Sequence, residues 1–146
     1  MYTIELEWSN KNSPEFTFEK YNRNHSVFFS GDQVLLNSAS PEYFGDQNAA
    51  NPEELLASAL ASCHMLTFLA IASKSGYTIN HYKCSATAVM GKNADGKMSV
   101  TEINLTPEIS FSGEKKPSPE QLISLHDKAH RNCFIAQSIQ SKVNVL

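Results

Sequence analysis

The stretch Asn51–Ser75 reads NPEELLASALASCHMLTFLAIASKS, and it decides how the rest of the chain is interpreted. It begins with a helix-start signature, because Asn51 can cap, Pro52 suits the first helical position and Glu54 follows three residues after the cap. No formally charged residue lies between Leu55 and Ser73. A surface helix shows a polar face, whereas the few polar residues here fall on several sides. We therefore predict a central helix that is covered on most sides.

The bulk composition indicates one ordinary domain. The chain has 146 residues, of which 41% are hydrophobic, and this length suits one domain with its own core. It has no internal repeat, linker or low-complexity segment, so a single domain over residues 1–146 is expected. A net charge of −3 with only Arg23 and Arg131 as arginines weighs against a nucleic-acid partner, since phosphate binding requires a basic stripe.

The N-terminal residues Met1–Asn10 alternate in polarity and include two glutamates, unlike a secretory signal. We therefore expect a cytoplasmic protein, whose odd number of cysteines indicates free thiols. The charge-free stretch is long enough for a membrane span, but its hydroxyl, Cys and His side chains favour a protein core, and no membrane partner is expected.

The segments around the central helix predict strands and one further helix. The sequence GKNADG at Gly91–Gly96 predicts a hairpin loop, and Pro107 implies an edge position or a bulge. Ser118–Gln121 is a second capping signature, which starts an amphipathic helix. This order predicts an α+β fold with antiparallel sheets packed around the central buried helix and the second helix. The predicted strands are Met1–Trp8, Phe16–Phe18, Ser26–Phe29, Val34–Leu36, Tyr77–Met90, Met98–Phe111 and Lys142–Leu146.

The burial required by the central helix predicts a dimer. A few short strands and one amphipathic helix can cover about half of a helix that is apolar on most sides. A second copy of the chain would cover the rest, so we expect an obligate homodimer.

The cysteines are the first candidates for chemistry. A cysteine on an apolar helix, such as Cys63, commonly acts as a small hydrophobe, whereas a reactive thiol needs a nearby cation or helix N-terminus to lower its pKa. Cys133 follows Arg131 where a short helix could start, a position that favours the thiolate. Cys84 lies in mid-strand and is interpreted as structural. The residues alone leave Cys63 and Cys133 open between packing and reactivity.

A zinc site is an alternative use of the same residues. His126, His130 and Cys133 have the spacing of one helix face, and Cys63 could supply a fourth ligand. Lys128 and the polar residues before it favour a solvated position for both histidines, so no metal is expected.

Two charged residues have no role that spacing alone assigns. Arg23 lies in a polar Tyr-x-Arg-x-His segment and could be an exposed loop residue. Glu53 lies in the first helical turn, where an acid is favourable for the helix dipole alone.

Three motifs resemble those of the OsmC/Ohr family of thiol-dependent peroxidases: NPEELL at Asn51–Leu56, ASCHM at Ala61–Met65 and NCFIA at Asn132–Ala136. The segment Tyr21–Phe29 resembles the start of the family's arginine-containing strand, so the resemblance covers nearly the whole chain. It implies the OsmC-like fold, an intertwined homodimer with central helices between sheets and two active sites at the subunit interface.

The same resemblance implies the roles of four residues. Cys63 corresponds to the peroxidatic cysteine and Cys133 to the resolving cysteine, while Arg23 corresponds to the arginine that holds the thiolate and Glu53 to the carboxylate that orients it. Arg23 would lower the pKa of Cys63 and stabilise the departing oxygen. The reaction would pass through a Cys63 sulfenic acid and a Cys63–Cys133 disulfide.

The implied function is reduction of organic hydroperoxides, with hydrogen peroxide as a further candidate substrate, in oxidative or osmotic stress. It requires no cofactor, but it needs an external thiol or dithiol reductant, such as a lipoylated protein. The alternative function on the same dimer is a non-catalytic binding protein that holds a small apolar ligand at the interface.

Two features complicate the resemblance. Glu53 and Cys63 are about 15 Å apart along an unbroken helix, too far for one Arg23 side chain to serve both, so we predict a break or bend near Ala57–Ala61. Asn24 also stands where members with a Cys-His-Met sequence often carry an acid, and a single Gly31 replaces a glycine pair. The Cys-His-Met sequence and the run before Cys133 resemble the OsmC-like branch more than the organic-hydroperoxide-resistance branch.

Overall fold

A computed structural model describes residues 1–11 and 15–146. The chain divides into two compact units, Met1–Leu55 and Leu56–Leu146. The described residues form two α-helices and two three-stranded sheets, which confirms the α+β prediction. In chain order the elements are β1 (Glu5–Glu7), β2 (His25–Phe28), β3 (Val34–Asn37), a 3-10 turn (Pro41–Tyr43), α1 (Pro52–Lys74), β4 (Thr78–Lys92), β5 (Met98–Ser112), α2 (Pro119–Asn132), a second 3-10 turn (Ala136–Ser138) and β6 (Lys142–Val145).

The first unit contains an antiparallel sheet in the order β1-β2-β3. The strand predicted at Phe16–Phe18 is wrong, because this segment forms a turn in which the Lys20 amide donates to the Thr17 carbonyl at 3.1 Å. The Phe16 ring packs against Trp8 at 5.8 Å and against Tyr21 at 5.4 Å between centroids. The aromatic residues of this segment are therefore used for ring contacts rather than for strand pairing.

The helix α1 begins with the predicted capping box. The Asn51 side chain accepts from the Glu54 amide at 2.9 Å, and the Glu54 carboxylate accepts from the Asn51 amide at 3.1 Å. The helix then continues without interruption to Lys74, so the break predicted near Ala57–Ala61 is wrong. The physical reason is that this segment contains good helix formers and neither Pro nor Gly, the usual causes of a kink.

A glycine cap ends α1. Gly76 takes a φ of 78°, and the Tyr77 amide donates to the Ala72 carbonyl at 3.0 Å. This is the Schellman arrangement, in which a left-handed glycine allows the last helical carbonyls to be paired.

The second unit contains the long hairpin β4–β5, with β6 parallel to β5 on its other side. β6 pairs only as far as Leu105, and the Leu146 amide donates to the Leu105 carbonyl at 2.9 Å. Pro107 therefore lies just beyond the end of β6, where its missing amide removes no ladder hydrogen bond. At Pro107, β5 therefore has no partner among the described residues on the side of β6, which confirms the expected edge position.

One face of α1 is buried, and the other faces are not. The buried residues follow one helical stripe, with side chains such as Leu60 and Phe68 fully enclosed, while Leu66 on another face is 60% exposed. Within a single chain the helix is thus covered less completely than the sequence predicts. The length and hydropathy of α1 would also suit a membrane span, as is true of core helices in many soluble proteins. Of its most apolar 18 residues, 28% are buried.

Candidate functional site

The second unit brings Cys63 and Cys133 together. Cys63 lies half-buried on α1, and Cys133 caps the C-terminus of α2 with no exposed surface. Both side chains belong to one apolar cluster with Leu60 and Ile103, and both thiols are free. Two cysteines that the sequence separates are therefore neighbours in the folded unit.

The two thiols have opposite pKa shifts. Burial acts to raise the pKa of Cys63, but hydrogen bonds from the Cys133 thiol and from the backbone amides of Ile135 and Phe134 outweigh burial and lower it. Burial raises the pKa of Cys133, and the adjacent Cys63 sulfur raises it further. Cys63 is therefore the thiol that ionises first, with Cys133 as its proton-bearing neighbour.

The amides come from the turn that follows α2. The Cys133 carbonyl accepts from the Gln137 amide at 3.1 Å, and the Cys133 sulfur accepts from the Ala136 amide at 3.4 Å. The intervening amides face Cys63 instead. The predicted short helix after Cys133 is thus present as a 3-10 turn, but its amides favour the thiolate of Cys63, and the expectation that this position favours a Cys133 thiolate is wrong.

Thr67 lies one turn after Cys63 on α1. Its hydroxyl donates to the Cys63 carbonyl oxygen at 2.8 Å. Although this hydroxyl also lies near the sulfur, its single proton is committed to the carbonyl. We therefore attribute the thiolate stabilisation chiefly to the Cys133 thiol and the two amides.

Arg23 is held in the first unit by backbone carbonyls and aromatic rings. Its guanidinium donates to the Phe18 carbonyl at 2.6 Å and to the Tyr21 carbonyl at 2.9 Å. The guanidinium carbon lies 4.0 Å from the centroid of the Tyr21 ring and 5.1 Å from that of Phe44. With 9% of its surface exposed, Arg23 is a fixed cation rather than a mobile loop residue.

A cavity of about 590 Å³ opens beside Arg23 in the first unit. Its lining is mainly apolar and aromatic, with the arginine as its only formally charged side chain. The lining residues are Leu6, Trp8, Phe16, Tyr21, Arg23, His25, Ser38, Ala39 and Pro52.

Asn24 forms a hydrogen bond with a carboxylate from a neighbouring loop. Its side-chain amide donates to Asp46 at 2.9 Å, and the Asn48 amide donates to the same carboxylate at 2.9 Å. Hydrogen bonds from the Asn48 backbone and the Asn24 side chain lower the pKa of Asp46. The segment that carries Arg23 is thereby tied to the loop that leads into α1.

Glu53 lies half-buried in the first turn of α1. Over residues 1–11 and 15–146, one ion pair is formed, between Lys20 and Glu15 at 2.7 Å, so Arg23 and Glu53 are not paired within the chain.

Three histidines meet between α1 and α2. His64, which is 1% exposed, places Nε2 3.0 Å from Nδ1 of His126. Burial and the neighbouring His126 and His130 lower the pKa of His64 to about 4. The expectation that His126 and His130 lie on a solvated face is wrong, because this face of α2 packs towards His64. Within the described part of the chain, no three His, Cys, Asp or Glu side chains form a metal-binding group.

Cys84 stands apart from this chemistry. It lies on β4 against the same apolar cluster, and burial raises its pKa. This environment agrees with the structural interpretation.

The family model for OsmC-like proteins matches residues 45–146. The chain belongs to the OsmC-like protein family. This membership, together with the fold, confirms the resemblance drawn from the cysteine motifs, and it indicates a hydroperoxide-related redox function. No curated protein matches the sequence.

Solved structures agree with this assignment to the OsmC-like family. An OsmC-like protein of unknown function from Vibrio cholerae superposes with a TM-score of 0.95 at 40% sequence identity, over 100% of this chain and 97% of that chain. An OsmC-like protein from Mycoplasma pneumoniae gives a TM-score of 0.75 at 21% identity, over 100% and 94%. An organic hydroperoxide resistance protein from Elizabethkingia anophelis, with thiocyanate bound, gives 0.70 at 18% identity, over 99% and 93%. The last two show the fold alone.

Proposed function

We propose that this OsmC-like chain is a two-cysteine, thiol-dependent peroxidase that reduces organic hydroperoxides in the cytoplasm during oxidative or osmotic stress. The observation that carries the proposal is the contact between Cys63 and Cys133, with the pKa of Cys63 lowered and that of Cys133 raised. A peroxidatic cysteine must be a thiolate, whereas a resolving cysteine can wait as a thiol.

The chemistry follows from this contact. The Cys63 thiolate attacks the terminal peroxide oxygen, the O–O bond breaks, and the departing alkoxide takes a proton to leave as an alcohol. Cys63 is then a sulfenic acid. The Cys133 sulfur attacks the Cys63 sulfur, water leaves and a disulfide forms. An external dithiol, such as a lipoylated protein, returns both residues to thiols by exchange.

Arg23 and Glu53 complete the proposal. Arg23 is the cation that stabilises the developing negative charge, and Glu53 is the carboxylate that orients the Arg23 side chain. Because α1 is unbroken, Glu53 and Cys63 of one chain are about 15 Å apart along the helix. We therefore place Cys63 together with Arg23 and Glu53 of the partner subunit. This requires a homodimer, and the exposed apolar faces of α1, including Leu66 at 60%, support one.

The apolar cavity beside Arg23 supports an organic substrate. A fixed guanidinium next to rings such as Trp8 and Tyr21 suits a molecule with one polar end and one hydrophobic end. The same cavity supports a second candidate function, in which the dimer binds a small apolar ligand without turnover. Oxidation of the thiols by a hydroperoxide distinguishes the peroxidase from the binding protein.

A stoichiometric titration tests the proposal. Fully reduced protein receives one equivalent of cumene hydroperoxide, after which free thiols are counted and disulfides are mapped by mass spectrometry. We expect rapid loss of two thiols as a Cys63–Cys133 bond with Cys84 unchanged. The Cys84→Ser variant should behave identically, while Cys63→Ser should lose no thiols. Thiols that persist for minutes in the wild-type protein would refute the peroxidase and favour the binding protein.

A further inference from the structure

A buried pair of histidines joins α1 to α2, and none of the chemistry above uses it. The rings of His64 and His126 are parallel within 6°, with centroids 5.3 Å apart and facing nitrogens 3.0 Å apart. Phe68 packs against His126 at 4.4 Å between centroids. The two rings therefore meet edge to edge through one hydrogen bond inside an apolar contact.

The direction of that hydrogen bond follows from the remaining nitrogen of His64. Its Nδ1 is buried and has no hydrogen-bond partner. If His126 donated the proton, the proton of His64 would lie on this Nδ1, leaving a buried N–H unpaired, which proteins rarely tolerate. We therefore assign the proton to His64 Nε2, which donates to His126 Nδ1. Only a lone pair then remains without a partner.

The position of the pair relates it to the two cysteines. His64 follows Cys63 directly on α1. His126 precedes Cys133 by about two turns on the same side of α2. A hydrogen bond at this point fixes how far α2 lies along α1, and with it the place where Cys133 ends α2.

We propose that His64 and His126 are positioning residues for the resolving step, because their hydrogen bond holds α2 where Cys133 can close on Cys63. The inference rests on the proposed function for its biological meaning. A disulfide forms only when the two Cα atoms lie within about 7 Å. The apolar contacts of α2, through Leu125 and Ala129, hold the helix in place but tolerate sliding, whereas a directional bond between buried polar groups does not.

The groups around the pair determine its response to acid. His130 faces His64 from α2, Asp127 lies beside His126, and Tyr82 of β4 packs on Phe68. Burial lowers the pKa of both His64 and His126, so the pair is neutral near pH 7. When both rings are protonated, both facing nitrogens carry hydrogen and the bond between them is lost. Resolution should therefore weaken in acid beyond the effect of Cys133 protonation alone.

The test uses 4,4′-dithiodipyridine, which reacts with thiols at acid pH and needs no peroxide. In a Cys84→Ser background, Cys63 attacks the reagent and releases one thiopyridone, and Cys133 then displaces the second. Three proteins are compared: the background itself, His126→Phe, which keeps a ring against Phe68 but cannot accept a hydrogen bond, and His126→Asn, whose side-chain oxygen can accept from His64 and does not titrate.

We expect His126→Phe to release the first thiopyridone at the background rate and the second about tenfold more slowly, the size expected for one lost buried hydrogen bond. His126→Asn should restore the second release to within about threefold at pH 7. Between pH 7 and pH 4 the second release should slow more in the background protein than in His126→Asn, because His64 is protonated only as the pH approaches 4.

Two results would overturn the inference: a second release in His126→Phe within twofold of the background, or an equal loss of both releases that His126→Asn does not rescue. If both releases behave as expected while cumene hydroperoxide leaves the thiols intact, the positioning role stands and the peroxidase function fails.

Discussion

We expect acidification to destabilise this protein through His64, and the size of the effect can be worked from the structure. Burial and the neighbouring His126 and His130 lower the pKa of His64 from 6.5 to about 4. Between these values the unfolded chain binds a proton that the folded chain does not bind. Stability is therefore complete above about pH 6.5 and falls as the pH decreases towards 4. From pH 7 to pH 5 the loss due to this residue is about 2 kcal/mol, a large share of a typical folding free energy.

The matched variant is His64→Gln, whose side-chain amide can still donate to His126 Nδ1 but does not titrate. Urea unfolding at fixed protein concentration, repeated at several pH values, gives the free energy of unfolding of both proteins. The difference between wild type and variant should change by about 2 kcal/mol between pH 7 and pH 5, with the wild type losing more. Carboxylates affect both proteins alike and cancel in this difference. Parallel curves for the two proteins would refute the argument that His64 is buried as a neutral ring.

Three further outcomes follow from the other contacts. Replacing Cys133 with Ala removes a hydrogen-bond donor to the Cys63 sulfur and should raise the pKa of Cys63, whereas Cys133→Ser should keep this pKa lowered. The pH dependence of Cys63 alkylation by iodoacetamide measures the pKa in each variant. Equal profiles for the two variants would contradict the assigned contact. Arg23→Ala should slow oxidation of Cys63 by cumene hydroperoxide about a hundredfold in stopped-flow measurements, while unchanged rates would remove Arg23 from the site. Leu66→Glu places a charge on the exposed apolar face of α1 and should shift the protein towards a monomer by light scattering; an unchanged mass would exclude this face from the dimer interface.

The parts of the fold that the sequence predicts are those with local causes. Both capping boxes, at Asn51 and at Ser118, are formed with the predicted partners, because each depends on residues within one helical turn. The strand predicted at Phe16–Phe18 is absent, because the Phe16 ring packs against Trp8 and Tyr21. Contacts between residues that are distant in sequence leave no pattern in a short segment.

In the candidate site, too, some residues can be predicted from local sequence motifs and others cannot. Cys63 and Cys133 lie in recognisable motifs, and the family resemblance alone predicts that the two residues act as a pair. The amides of Phe134 and Ile135 that face Cys63 could not be found in this way, because any residue except proline supplies an amide. The histidine contact was also missed, since Lys128 in the same helix indicated a solvated face, whereas the burial of His126 depends on where α1 lies.

The unbroken course of α1 changes where the active site should be sought. A break near Ala57–Ala61 was expected only on the assumption that Glu53 and Cys63 of the same chain belong to one active site. The residues of that segment favour a continuous helix, and the helix is continuous. Once the helix is a rigid rod, about 15 Å separates the two side chains, and bending cannot shorten the gap. In the proposed homodimer, the lack of charge that makes α1 apolar on several faces has a second consequence, because these faces would contact the other copy of the chain. On this reasoning the dimer is needed for catalysis as well as for burial, and a variant that dissociates while keeping its fold should lose peroxide reduction.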